Sequence, residues 1–258
     1  MRFHLPVRSL VRLLHIWWPA ALGWSIAVVV RRATGRPWDS AGFAVLLFGI
    51  LAAYSLDRVG DASGDQPRWM RRLLIAVTVM ATVAGGRLLP VLPLGSAAAV
   101  FVAGLAAALY PLVKRLPLGK TLIVPLVWTW CGIVLPSGDP SSLSWPSVLA
   151  PVAVPVFLLF VAGCLLCDLK DADADRAAGV PSVPAMVGTG RATALALGIA
   201  ALAGGIATIE GRPGLALGAV ALCAAGLRPA LLAVPDIGPL VVDVILTLPG
   251  LLIAARLV

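Results

Sequence analysis

From Val148 to Cys167 the chain reads VLAPVAVPVFLLFVAGCLLC without one charged side chain, and it then turns at once into DLKDADADR. As a helix, such a run rises about 30 Å, the thickness of a bilayer's hydrocarbon core. Similar apolar runs cover residues 11–30, 41–57, 73–89, 95–113, 121–136, 147–167, 191–209, 214–233 and 237–256. Backbone groups in lipid must be satisfied within their own segment, so such runs read as helices. The expected fold is therefore all-α, a polytopic membrane bundle of about nine transmembrane helices. Only 12% of residues are charged and the mean hydropathy is +1.00, against about 25% charged residues in an ordinary soluble domain. The segment MRFHLPVRSLVR precedes the first run, which is too long and lacks the small-residue cleavage site of a signal peptide, so it counts as the first helix.

The net charge of +8 belongs to this membrane setting and not to nucleic-acid binding, because Lys and Arg mark the cytoplasmic ends of spans and attract anions there. A cytoplasmic N-terminus places most of the 20 basic residues inside, although Arg31, Arg32 and Arg36 of the first external loop run against the trend. The expectation is an integral, multi-pass protein in the lipid bilayer. Cys131, Cys164, Cys167 and Cys223 fall in or beside apolar runs and read as small buried hydrophobes.

Acidic residues are few, and most fall in two segments at cytoplasmic ends of spans. The first contains Asp57, Asp61 and Asp65 at i, i+4, i+8, a spacing that keeps them on one helix face, although Gly60 and Gly64 interrupt that helix. In the second, a continuing helix puts Asp168, Asp171 and Asp175 within about 60° of one another and turns Asp173 away. Like charges so spaced repel, and carboxylates at a membrane interior are costly unless paired or ligated. A hard divalent cation answers both problems: Mg²⁺ takes carboxylate oxygens and completes its shell with water and substrate phosphates. The plainer alternative is two solvated loops neutralised by Arg58 and Arg176. Between the acidic segments lies ALYPLVKRLPLGK, whose Lys114, Arg115 and Lys120 form either a membrane anchor or a cationic clamp for an anion. Carboxylates and cations at the mouth of an apolar bundle suit a diphosphate carried on an apolar tail.

The second acidic segment, DLKDADADRAAGVPSVPAMVG, resembles the second aspartate motif of the UbiA superfamily of intramembrane prenyltransferases. The matching positions are Asp168, Asp171, Asp175, Arg176, Gly179, Ser182, Pro184 and Gly188. Tyr110, Pro111, Lys114 and Arg115 are similar to the family's segment between its two motifs. The first motif departs from the pattern: where the family has two further polar ligands, this chain has Ala53 and Tyr54, ahead of Asp57, Arg58 and Asp61. The resemblance implies a single UbiA-like prenyltransferase domain over residues 1–258. It implies Mg²⁺ held by Asp57, Asp61, Asp168, Asp171 and Asp175, with Asp57, Asp61, Asp171 and Asp175 serving catalysis. Arg58, Lys114, Arg115, Lys120 and Arg176 become diphosphate ligands, and Tyr54, Tyr110 and Trp128 line the isoprenoid or acceptor pocket. The implied reaction moves an isoprenyl group from its diphosphate to an aromatic or other lipophilic acceptor. A terpene cyclase would ionise the same diphosphate without an acceptor. A transporter would also bury acids, although near the midplane and not at helix ends. Trp17, Trp18, Trp24 and Trp130 are further aromatic candidates for the pocket, His15 is a conceivable general base, and Asp243 is a carboxylate inside the last span.

Overall fold

The computed structural model describes residues 5–35, 37–60, 67–138, 150–235 and 237–258, and among these there is no strand. The long helices are α1 (Leu5–Thr34), α2 (Ser40–Gly60), α3 (Arg68–Leu88), α4 (Leu94–Val113), α5 (Gly119–Val134), α6 (Ala150–Cys167), α9 (Thr189–Ile209), α10 (Pro213–Gly226) and α12 (Ile237–Ala254). Short helices α7 (Ala172–Ala177), α8 (Val183–Val187) and α11 (Pro229–Leu232) lie between them. Each apolar run of the sequence falls on one of the long helices. One correction applies: the run 214–233 is broken at Leu227–Arg228, because Pro229 cannot extend the backbone ladder of α10. Among the described residues, five helices are long and apolar enough to cross a membrane: Ser40–Val59, Arg68–Val91, Ala150–Ala177, Thr189–Ile209 and Ile237–Ala254.

The helices form a ring in which α1 packs on α5 and α12, α5 on α6, α6 on α9, α9 on α10, and α10 on α12. Helix α2 lies on α1 and carries α3 on its outer side, and α4 lies on α5. Leu165, Leu166, Val152, Leu222 and Val242 fill the centre, each almost wholly buried. The outer faces are also apolar. Leu94 is 88% exposed, Phe101 73% and Met80 70%, a surface that water penalises and hydrocarbon does not. The protein is an integral membrane protein built around a tightly packed central helix, α6.

Helix α12 is fixed against α1 with unusual closeness. A Cβ on Gly250 would lie 2.4 Å from the Ser25 Cα, so only glycine permits the approach. The Ser25 hydroxyl donates to the Thr247 carbonyl at 3.0 Å and accepts from the Gly250 N–H at 2.9 Å. Both bonds flank Pro249, which interrupts the helix's own ladder. Trp18 Nε1 donates to Thr247 Oγ1 at 3.1 Å, and Thr247 Oγ1 donates to the Asp243 carbonyl at 2.7 Å. These contacts set the depth at which Asp243 stands in the bundle.

Candidate functional site

The chain leaves α4 through a tight turn that returns at once into α5. Lys114 N–H donates to the Tyr110 carbonyl, Leu116 N–H to that of Val113, and Gly119 N–H to that of Leu116. Leu118 adopts a left-handed conformation, φ 61°, and a Cβ on Gly119 would meet the Val113 carbonyl oxygen at 2.0 Å. A strained leucine beside an obligatory glycine thus carries Lys120 back beside Tyr110. Lys114 and Arg115 stay exposed in the turn.

Opposite Lys120, the backbone at the end of α6 changes geometry. Residues Asp168–Asp171 form a 3₁₀ helix, and α7 begins at Ala172. This corrects the expectation of one continuous α-helix. With three residues per turn, Asp168 and Asp171 stand one above the other, and a single ammonium reaches both. Lys120 Nζ lies 2.7 Å from Asp168 Oδ1 and 3.9 Å from Asp171 Oδ2, and Lys170 Nζ lies 2.6 Å from that same Asp171 oxygen. Asp168 is buried, and its charge is within range of those of Asp171 and Asp175. The expected outward turn of Asp173 holds: its side chain is 96% exposed and pairs with Arg176 at 2.7 Å. Arg176 also donates to the Ala185 carbonyl of α8 at 3.3 Å, so it is engaged on the outward side and makes no ion pair with Asp168, Asp171 or Asp175.

The first acidic segment meets the second at Tyr110. Tyr110, half-buried at the end of α4, lies within electrostatic range of Lys120, Asp57 and Asp168. Asp57 is exposed on the last turn of α2. Asp61 and Asp65 lie outside the described residues, as does the side chain of His15. The oxygens suited to a cation are Asp168 Oδ2 and Asp175 Oδ2, both buried and without a hydrogen-bond partner, and carboxylate oxygens are the ligands that Mg²⁺ prefers. Among the described residues, no three His, Cys, Asp or Glu side chains already stand close enough to hold a metal ion. The ammonium of Lys120 sits between Asp168 and Asp171 instead.

Beneath this mouth lies an aromatic wall, with Tyr54 about one helical turn from Asp57, and Trp128 and Phe160 about two turns from Lys120 and Asp168. Tyr54 on α2 meets Trp128 on α5 edge-on at 5.9 Å between ring centres, and Trp128 stacks on Phe160 of α6 at 5.5 Å. Tyr54, Cys164, Cys167 and Asp243 are half-buried among the helices and lie within electrostatic range of one another. Tyr54 and Trp128, the expected pocket residues, meet in this wall. Trp17 does not: it is 52% exposed, while Trp18 is turned to α12. Trp130 is two residues beyond Trp128 and so faces away from the wall.

No protein-family model and no curated protein matches the chain. Solved structures do. The apo structure of a UbiA homologue from Aeropyrum pernix K1 superposes with a TM-score of 0.71, covering 93% of this chain and 98% of its own at 20% identity. The chain has the UbiA fold. A UbiA homologue from Archaeoglobus fulgidus bound to DMAPP and Mg²⁺ shares it at a TM-score of 0.57 and 13% identity, over 96% of this chain and 97% of its own. The same protein bound to GPP and Mg²⁺ gives 0.54 and 12%, over 94% and 99%. Within this UbiA fold, Thr121 Oγ1, which sequence reasoning missed, and Ser182 Oγ, at a position of the second motif, are buried without a hydrogen-bond partner. Thr121 follows Lys120 directly and Ser182 opens α8, but nothing in their local sequence marks either as unpaired.

Proposed function

We propose that this chain is a UbiA-superfamily enzyme, a Mg²⁺-dependent prenyltransferase that moves an isoprenyl group from an allylic diphosphate to an aromatic or other lipophilic acceptor. The observation that carries this reading is the meeting of Asp57, Asp168 and Lys120 around Tyr110. It brings both acidic segments and a cation to one mouth above an apolar cleft. DMAPP and GPP, bound by the A. fulgidus homologue with Mg²⁺, are allylic diphosphates of the required kind.

Mg²⁺ would be held by Asp57, Asp168, Asp171 and Asp175, with Asp61 from the segment beyond α2, and when bound it neutralises the diphosphate and the charge gathered there as the allylic C–O bond breaks. With Mg²⁺ bound, Lys120, which pairs with Asp168 and Asp171, would be free to turn to the diphosphate, and the buried acids would keep a counter-charge. Arg58, Lys114 and Arg115 add positive charge around the mouth. Arg176 is within reach only if its pairing with Asp173 is given up. Tyr54, Trp128 and Phe160 wall the isoprenyl chain, keep water from the allylic cation and offer ring faces to it. The mouth faces the cytoplasm, where the basic residues concentrate.

A second reading has its own support. The Tyr54 ring occupies a position where the family pattern has a polar ligand, and an aromatic wall of three rings favours folding of the isoprenyl cation on itself. Purified protein with Mg²⁺ and geranyl, farnesyl or geranylgeranyl diphosphate, with and without aromatic acceptors, separates the two by mass spectrometry. A prenylated acceptor supports transfer. A cyclic hydrocarbon or alcohol formed without acceptor supports cyclisation, and no diphosphate release from any donor rejects both.

A further inference from the structure

Asp243 is a carboxylate in the middle of α12 that the binding of a diphosphate does not use. Its placement is deliberate in structural terms: Gly250, Ser25, Thr247 and Trp18 lock α12 to α1 and fix its depth. It retains accessible surface toward the cleft. Tyr54, Cys164 and Cys167 lie within its electrostatic range; Tyr54 and Cys164 stand about one helical turn below Asp57 and Asp168, and Cys167 adjoins Asp168. Thus Asp243 lies beneath the mouth, at the level where the first carbons of an isoprenyl chain would stand.

The surroundings give this carboxylate very little. Among the described residues its carboxylate makes no hydrogen bond or ion pair, and the cation whose charge reaches it is Arg58. Arg58 itself has a buried Nε with no hydrogen-bond partner. Facing Asp243 from α2 are Tyr54 and Arg58, and from α6 Cys164 and Cys167. A bundle that needed only packing here would place leucine at this position, since an intramembrane carboxylate is costly.

We infer that Asp243 is the residue that accepts the proton released when the allylic cation is consumed. In transfer, the diphosphate leaves with the electron pair of its C–O bond, and a C–C or C–O bond forms between the allylic carbon and the acceptor. The acceptor's C–H or O–H bond breaks, its electron pair stays with the acceptor and its proton goes to an Asp243 oxygen. In cyclisation the proton leaves a carbon beside the cation, and the C–H pair becomes a double bond. Arg58 holds the carboxylate by charge and stands between it and the departing diphosphate. The inference rests on the functional reading above, which it deepens.

The test uses full-length protein in detergent or nanodiscs with Mg²⁺ and the donor and acceptor that the wild type turns over. In Asp243→Asn, diphosphate release is expected within about threefold of wild type, while normal product falls at least about 10²-fold and the isoprenyl alcohol from water capture accumulates. The affinity for farnesyl thiolodiphosphate, read by tryptophan fluorescence, is expected unchanged. Asp243→Glu is expected to recover at least about a tenth of normal product, and Asp243→Ser gives the neutral comparison should the Asn variant fail to fold. Equal loss of release and product in a folded neutral variant, or normal product from it, overturns the inference. A folded Glu variant as inactive as Asn does the same. No diphosphate release by the wild type would instead overturn the functional reading itself, and this inference with it.

Discussion

Asp168 and Asp243 are both carboxylates inside an apolar bundle, and the protein treats them in opposite ways. Asp168 is met by Lys120 at 2.7 Å and belongs to a cluster with Asp171 and Asp175. Asp243 has no direct partner among the described residues and feels only the charge of Arg58. A carboxylate paired with a movable ammonium can exchange one cation for another while staying neutral, which suits reversible binding of a metal and an anion. A carboxylate with no hydrogen bond of its own keeps its lone pairs for a substrate proton. In the proposed function the same residue type serves binding at the mouth and chemistry beneath it, and the neighbours decide which.

The comparison can be broken most severely at the mouth. Asp171→Asn and Asp175→Asn are each expected to lower turnover at least about 10²-fold, because each removes a charged ligand from a low-dielectric site, as diphosphate release in saturating Mg²⁺ will show. Lys120→Met strands Asp168 as a buried uncompensated charge and is expected to cost about 3 kcal/mol of stability. Adding Asp168→Asn should return most of it, and a thermal-denaturation double-mutant cycle in detergent measures the coupling. Tyr54→Ala removes the edge-on ring from Trp128. It is expected to redistribute products or relax chain-length preference, read by mass spectrometry, with turnover kept within about tenfold. Lys114→Ala and Arg115→Ala are expected to raise the KM for the diphosphate only a few-fold with insertion intact; loss of membrane orientation would show them to be topological anchors. Smallest of all is Asp173→Asn, where turnover should stay within about twofold, because its exposed pair with Arg176 faces away from the mouth.

Much of this architecture is legible in the sequence, because a bilayer makes length and apolarity nearly sufficient. Apart from 214–233, which is split, the long apolar runs each fall on a single helix, and the outsider status of Asp173 follows from its spacing alone. The pairing of Asp168 and Asp171 on Lys120 does not. A period of 100° per residue leaves Asp168 and Asp171 about 60° apart, whereas the observed 3₁₀ turn aligns them, and the lysine that meets both comes from another helix. Nor does the aromatic assignment follow from sequence: Trp128 and Trp130 share composition and neighbourhood, and only the packing of α5 on α6 turns one inward. Asp243 stands out as an intramembrane carboxylate, yet its nearness to Arg58 and Tyr54 comes from the fit of α12 on α1 at Gly250.

The central claim, that the acidic mouth binds an allylic diphosphate through a divalent cation, is tested most directly by titrating Mg²⁺ into purified protein with farnesyl diphosphate and following release of inorganic diphosphate. Release is expected to saturate with Mg²⁺, to stop in EDTA, to return when Mg²⁺ is restored, and to fall at least about 10²-fold in Asp171→Asn. Undiminished release in EDTA, or no release from farnesyl, geranyl or geranylgeranyl diphosphate at saturating Mg²⁺, would contradict it.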